Sequence, residues 1–219
     1  MPAPVPLILA SASPARRATL QAAGIDPTVL VTGVDEDAVL EAGLAARPDL
    51  PPAGQVLVLA KAKALAALPQ APAGSLVLGC DSMLELDGEM LGKPAGPEDA
   101  ARRIRQQSGR DAVLHTGHWL ARRTEGNQPP ESVGATSSTV VHFADLTEAE
   151  IQAYVATGEP LQVAGAFTID GLGGPFIRGV TGDHHGVVGL SLPTLRDLLA
   201  LLGLTIPDLW RPGTIQPPL

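Results

Sequence analysis

The chain of 219 residues predicts an α/β fold, with a mixed, twisted sheet flanked by helices. Three observations carry that reading. Apolar runs of strand length alternate with helix-like runs that begin at capping residues and stop at glycines. Two segments read as hairpins, one turning at Asp87-Gly88 and one around the polar stretch 122–130. Apolar residues make up 45% and charged residues 17%, a balance that supports a buried core rather than disorder. Crossover units favour parallel pairing and hairpins require antiparallel pairing, so one sheet should contain both.

The elements follow in order. Residues 5–10 are an apolar run that reads as a buried strand. The run 15–23 reads as a helix ended by Gly24, with Ser13 placed to cap it and Pro14 in its first turn. Next come a short strand over 28–32, an acidic loop over 33–37 and a Pro/Ala-rich stretch, 38–52, that holds a short helix. Residues 55–68, rich in Ala and Leu and bounded by prolines, predict a strong helix. Residues 76–80 read as a short apolar strand and 84–91 as the first hairpin. Pro97, backed by Glu98 and Asp99, opens a helix that stops near Gly109. Residues 112–121 and 132–143 are long strands. Thr147-Glu148-Ala149-Glu150 has the capping-box pattern and opens a helix ended by Gly158. The glycine-rich stretch 165–189 carries short strands around Phe167 and over 176–180. Ser191, Leu192 and Pro193 open a last amphipathic helix, ended by Gly203. This organisation is one domain of two lobes over residues 1–206, followed by a loose Pro-rich tail over 207–219.

Composition narrows the function. The net charge of −8 and an aromatic content of 3% argue against a nucleic-acid surface, which needs basic stripes and stacking platforms. An anionic small molecule remains compatible where positive charge is concentrated locally. The single Cys80 excludes an internal disulfide framework and a Cys-based zinc site. No positive charge precedes residue 16 and no long apolar stretch occurs, so a soluble cytoplasmic protein without membrane contact is expected. Lysine occurs only at positions 61, 63 and 93.

The familiar nucleotide and hydrolase signatures are missing: there is no Gly-x-x-x-x-Gly-Lys-Ser/Thr loop, no Gly-x-Gly-x-x-Gly after a strand and no Gly-x-Ser-x-Gly elbow. His184-His185 reads as an isolated pair in a loop. What remains is a dispersed set. Ser11, Ser13 and Arg16 surround a strand-to-helix turn, which is either a well-capped helix start or a phosphate site built on free backbone N–H groups. Asp81 ends an apolar strand, where a carboxylate either faces a cleft or makes an Asx-turn. Asp35, Glu36 and Asp37 form an acidic turn. Lys61 and Lys63 point to different faces of one helix. Lys93 sits in a turn after the hairpin, and Cys80 reads as a small buried residue. A phosphate cradle, separated carboxylates and a few cations are the parts needed for metal-assisted chemistry on a polyphosphate.

At these residues the chain resembles the Maf-family nucleoside triphosphate pyrophosphatases. Leu9-Ala10-Ser11-Ala12-Ser13-Pro14-Ala15-Arg16 is similar to the family's opening Leu-Ala-Ser-x-Ser-Pro-Arg-Arg, and Val34-Asp35-Glu36 to its Val-Asp-Glu. Leu59-Ala60-Lys61-Ala62-Lys63-Ala64 resembles Leu-Ala-x-x-Lys-Ala and selects Lys63 as the functional lysine. Gly79-Cys80-Asp81-Ser82, Asp87-Gly88-Glu89, Leu91-Gly92-Lys93-Pro94 and Ser108-Gly109-Arg110 follow in register. Thr157-Gly158-Glu159-Pro160, Ala164-Gly165-Ala166-Phe167 and Val187-Val188-Gly189-Leu190 complete the series, which spans residues 7–203.

The resemblance implies an elongated Maf/ITPase-like fold with a cleft between two lobes. It implies hydrolysis of a nucleoside triphosphate to monophosphate and pyrophosphate with a divalent cation, Mg²⁺ or Mn²⁺. A homodimer is an expectation at the level of the family. Asp81 is then the proton acceptor for the attacking water. Ser11, Ser13, Arg16, Lys63 and Lys93 bind the phosphates, Glu36 and Asp81 lie near the metal, and Ala15, Ser82 and Asp170 match positions that set base specificity. The chain departs from the pattern at Ala15, where the family has an arginine, and at Gln162-Val163, where it has Asp-Lys; Arg178 is a candidate substitute for that cation. Ser191 stands where a proline is usual and serves as a helix cap instead. Asp170 stands where relatives acting on dTTP and UTP tend to carry Gln. The alternative reading is a nucleotide-binding regulator of septum formation and cell division without significant turnover.

Overall fold

The first strand, β1 (Leu7–Ala10), is buried along its whole length. In the computed structural model, which describes residues 4–124 and 129–210, the chain then enters α1 (Pro14–Ala22). Ser13 caps this helix by accepting the Arg16 N–H, and Pro14 occupies its first position. There follow β2 (Thr28–Val29), α2 (Glu36–Ala46), α3 (Pro52–Ala67), β3 (Leu76–Leu86), β4 (Glu89–Leu91) and α4 (Pro97–Gln107). The chain continues through β5 (Asp111–Arg122), β6 (Glu131–Phe143), α5 (Glu148–Ala156), β7 (Ile177–Thr181), α6 (His184–Val188) and α7 (Leu192–Leu201). Strand order is β2-β1-β3-β5-β6-β7, with β4 paired to β3. β1 pairs in parallel with β2 and β3, whereas β3/β4 and β6/β7 are antiparallel. The expected mixed sheet flanked by helices is therefore present. No helix among the described residues is long and apolar enough to cross a membrane.

The chain divides into two compact units, residues 1–81, 117–136 and 192–219 in one, and 82–116 and 137–191 in the other. In the first unit, α3 lies flat on the sheet. Val56, Leu59, Ala60, Ala64 and Ala67 are its buried residues. Two glycines make this approach possible: a Cβ at Gly79 of β3 would collide with the Ala60 carbonyl and the Ala64 nitrogen, and one at Gly117 of β5 with the backbone at Val56 and Leu57. The alanines of α3 and the glycines of the strands are thus two halves of one close contact. The second unit has two apolar clusters. Leu84, Leu86, Leu91, Leu114, Val141 and Phe143 gather with Phe167, whose ring meets Phe143 edge-on at 5.0 Å. Ala100, Ala101 and Ile104 of α4 meet Ile151, Tyr154 and Val155 of α5.

Local signals account for most boundaries. Asp87 and Gly88 both take positive φ, 55° and 82°, between paired Leu86 and Glu89, the geometry of a two-residue hairpin turn with the hand that suits twisted strands. Both capping-box hydrogen bonds of Thr147 and Glu150 are made.

Other expectations need correction. Residues 33–37 are not simply an acidic loop: Asp35 caps α2 and accepts the Ala38 N–H at 3.0 Å, while Glu36 and Asp37 lie in the first turn, where the helix dipole favours anions. The strand starting at Leu76 does not stop at Cys80 but runs to Leu86, so Asp81 lies within β3 rather than at its end. Backbone pairing continues past polar side chains, and the apolar run understates the strand. β2 is only two residues long, although the Leu30 N–H still reaches the Leu9 carbonyl at 3.0 Å. Phe167 is in no strand, because it follows Gly165 and Ala166, both at positive φ. His184 and His185 open a short helix capped by Asp183 instead of lying in a loop. The tail is held at its start: Ile206–Leu209 form a 3-10 turn, Leu209 is buried, and the Trp210 indole donates to the Ala23 carbonyl at 2.9 Å. Residues 211–219 of the expected tail and 125–128 of the expected hairpin loop lie outside the described residues.

Gly79→Ala is expected to lower stability by about 1–3 kcal/mol, the usual cost of overpacking a closed contact. Urea unfolding checks this, and Gly92→Ala, with no atom within 4 Å of the added carbon, serves as the control.

Candidate active site

Six of the residues singled out in the sequence meet within the first unit. Where β1 gives way to α1, the Ser11 hydroxyl accepts the Ser13 N–H at 3.2 Å and one guanidinium nitrogen of Arg16 at 3.0 Å. The same nitrogen of Arg16 donates to the Cys80 carbonyl of β3 at 2.9 Å. Helical side chains lean toward the N-terminus of their helix, which brings Arg16 back over the turn that precedes it. The guanidinium is thereby fixed between the β1–α1 turn and the residue preceding Asp81.

Asp81 is buried. Gly79 and Asp81 are two apart on β3 and so share a face, the face on which α3 lies. Lys63, on the turn of α3 that packs against Gly79, reaches Asp81 Oδ1 at 2.6 Å. Its ammonium also lies 2.9 Å from Glu36 Oε1, at the first position of α2. Lys61 instead places its ammonium 4.8 Å from the centre of the Trp119 ring, a surface cation–π contact. One lysine of the pair is thus built into the site and the other is not.

Burial is the largest influence on Asp81 and pushes its carboxyl above the ordinary value. The Lys63 and Arg16 charges and the Lys63 hydrogen bond pull it back, and the Glu36 charge adds to the rise. The result is a carboxylate that is more basic than usual yet flanked by two cations. The neighbouring Cys80 thiol is pushed up to about 11, mainly by its complete burial, which suits a packing residue and not a nucleophile. Glu36 Oε1 and Asp81 Oδ1 converge on one cation, and two hard carboxylate oxygens are the donor type that Mg²⁺ or Mn²⁺ takes. The donor set therefore fits a divalent metal.

The remaining predicted residues sit elsewhere. Ala15 is the second residue of α1, half-buried. Ser82 alternates to the other face of β3 and bonds the Thr116 hydroxyl at 2.9 Å; Thr116 in turn donates to the Gly186 carbonyl at 2.8 Å, so the Ser82 hydroxyl is the donor of that pair. Lys93 is exposed in the second unit, in the turn after β4. Its neighbour Gly92 accepts from Arg103 at 2.9 Å and from the Gly165 N–H at 3.1 Å, which fixes that turn. Arg178 is paired with Asp145 at 2.7 Å.

Asp170 is exposed in the loop 168–173. The organiser of that loop, Glu159, carries no role in the sequence reading beyond its place in Thr157-Gly158-Glu159-Pro160. Its carboxylate accepts the Tyr154 hydroxyl at 3.0 Å, the Thr168 hydroxyl at 2.5 Å and the N–H groups of Leu172 and Gly173 at 2.9 and 3.0 Å. A glutamate followed by proline and then a glycine-rich loop is the only local signal for it. Ser191, expected to cap α7, is buried and hydrogen-bonded to Asp183. Asp183, His184 and His185 hold ligand-type atoms within 4.8 Å of one another, but the Asp183 carboxylate is occupied in capping α6, through the N–H groups of His185 and Gly186.

The raised Asp81 carboxyl has a consequence for stability. The folded state binds this proton more tightly than the unfolded state, so the penalty is full above the folded-state pKa and vanishes below the unfolded one. Asp81→Asn removes that penalty but also takes the buried partner from Lys63, so the unfolding temperature of the variant relative to the unaltered protein is expected to rise as the pH rises through the carboxylate range, on top of a pH-independent loss. Calorimetry across that range checks the trend.

Comparison with known proteins places the chain in a family. A family model described as Maf-like protein matches residues 6–202. The chain is 53% identical to a nucleoside triphosphate pyrophosphatase of Salinispora tropica over 98% of its length and 92% of that protein. It is 52% identical to proteins of the same name from Nocardia farcinica, over 94% of this chain and 96% of the relative, and Streptomyces coelicolor, over 94% and 95%.

Proposed function

Because the chain belongs to the Maf family, we propose that it hydrolyses nucleoside triphosphates to the monophosphate and pyrophosphate, with Asp81 accepting the proton of the attacking water. The observation that carries this reading is Asp81 itself: buried, made more basic by burial, and flanked by Lys63 and Arg16. A general base works best when its proton affinity is lifted toward the working pH, and desolvation supplies that lift. Transfer of the water proton to Asp81 leaves an oxygen nucleophile that bonds to phosphorus, while the phosphoanhydride oxygen departs with pyrophosphate.

Ser11, Ser13 and Arg16 form the phosphate cradle at the start of α1. The helix terminus supplies partial positive charge, the hydroxyls supply hydrogen bonds, and the guanidinium, fixed on Ser11 and Cys80, supplies planar donors for phosphate oxygens. Ala15 leaves Arg16 as the side-chain cation of this motif. Lys63 supplies a second charge for the negative charge that spreads over the phosphoryl oxygens as the bond breaks. A divalent cation held by Glu36 and Asp81 would supply Lewis-acid stabilisation of those oxygens. By the family resemblance, Lys93 would serve the triphosphate and Ala15, Ser82 and Asp170 would serve base selection. A carboxylate side chain at position 170 lacks the N–H donors of Gln and should not read a base edge as Gln does.

The test is incubation with Mg²⁺ or Mn²⁺ and a panel of standard and modified triphosphates, following monophosphate and pyrophosphate together. Equal release of the two supports the proposal; tight nucleotide binding without release would instead support a regulatory binding protein. Asp81→Asn is expected to lower kcat by about 10²–10⁴-fold, the usual contribution of a positioned base, while triphosphate binding persists. Unchanged turnover in that variant would remove Asp81 from the mechanism. Arg16→Ala and Lys93→Ala are expected to raise KM with a smaller proportional effect on the unfolding temperature, and Asp170→Gln to change the order of preference among bases.

A further inference from the structure

We propose that the Lys63 ammonium is the resident occupant of the cation position between Glu36 and Asp81, and that a divalent metal enters by displacing it. The inference rests on the reading of these two carboxylates as the metal-binding pair, and adds a competition between the metal and a side chain of the same site.

The ammonium lies 2.6 Å from Asp81 Oδ1 and 2.9 Å from Glu36 Oε1, so it contacts one oxygen of each carboxylate of the pair. Two cations cannot share that position. At such separations their mutual repulsion is large, and the carboxylate lone pairs directed at Nζ are withdrawn from a metal. Displacement needs only side-chain rearrangement. The Lys63 stem has four carbons and its charge can be carried elsewhere, and the Glu36 side chain is 53% exposed. Asp81, with a side chain only 9% exposed, is the fixed member.

The competition has a direction. A metal arriving alone must leave the displaced ammonium near Arg16, without its own counter-charges. A metal arriving with a triphosphate brings anionic oxygens that take the ammonium over. Metal and triphosphate should therefore bind with positive coupling through Lys63, and the coupling must be reciprocal.

Mn²⁺ binding to the nucleotide-free full chain, read from the electron paramagnetic resonance signal of unbound Mn²⁺, tests this without turnover. Lys63→Met is expected to bind Mn²⁺ at least about tenfold more tightly than the unaltered protein, from loss of one unit of positive charge at contact distance. Lys63→Arg, which keeps the charge, should stay near the original affinity. Lys63→Gln, which keeps a hydrogen-bond donor beside Asp81, should follow Lys63→Met and carries the test if the methionine variant does not fold. A triphosphate analogue with a non-hydrolysable α–β bridge should tighten Mn²⁺ binding in the unaltered protein much more than in Lys63→Gln. If neutral variants bind Mn²⁺ no more tightly than the original, while Glu36→Gln weakens binding in all of them, the displacement is wrong and the metal-binding pair stands. If none of the proteins binds Mn²⁺, both are wrong.

Discussion

The site depends on how closely α3 lies on the sheet. A helix normally packs on a sheet through its side chains, but at Gly79 and Gly117 the strands present no side chain and the helix backbone comes down onto them. That approach places Lys63, one residue before Ala64, within 2.6 Å of Asp81, two residues beyond Gly79. A longer helix–sheet separation would leave a buried carboxylate without its cation, which is strongly unfavourable. The alanines of α3, the glycines of β3 and β5 and the ion pair are one arrangement seen at three levels.

The charges around Asp81 are held in place by elements of different kinds. Arg16 is oriented by Ser11 and by a backbone carbonyl of β3, Lys63 by helix packing, and Glu36 by its position at the capped start of α2. Each cation therefore has a fixed partner. Asp81 combines two opposed influences: burial raises its proton affinity, and Lys63 and Arg16 lower it. The net result is a carboxyl group raised above its ordinary value.

Much of this was legible in the chain. The cap at Ser13, the turn at Asp87-Gly88 and the capping box at Thr147 are local hydrogen-bonding patterns, and they form as the residues dictate. The series of short motifs from Ser11 to Leu190 resembled one family, and the match over residues 6–202 places the chain there. Where the reading failed, the deciding interaction was distant in sequence. β3 continues through Asp81 and Ser82 because neighbouring strands pair with it, Phe167 is placed by Phe143 and not by a strand of its own, and Leu209 and Trp210 are held by the fold they return to.

The sequence by itself determined the α/β class, the positions of most helix starts, and the set of polar residues capable of phosphate chemistry, because these follow from periodicity, capping and residue type. It left Lys61 and Lys63 equivalent until the family resemblance chose between them. Only the tertiary structure supplied the physical reason: Lys63 lies toward the β3 face that carries Asp81, and Lys61 lies over Trp119. It also decided that Asp81 is buried, that Cys80 serves Arg16 through its backbone carbonyl, and that Glu159 ties down the loop of Asp170. Burial, charge proximity and hydrogen-bond closure are properties of residues brought together from separate segments, and no local pattern encodes them.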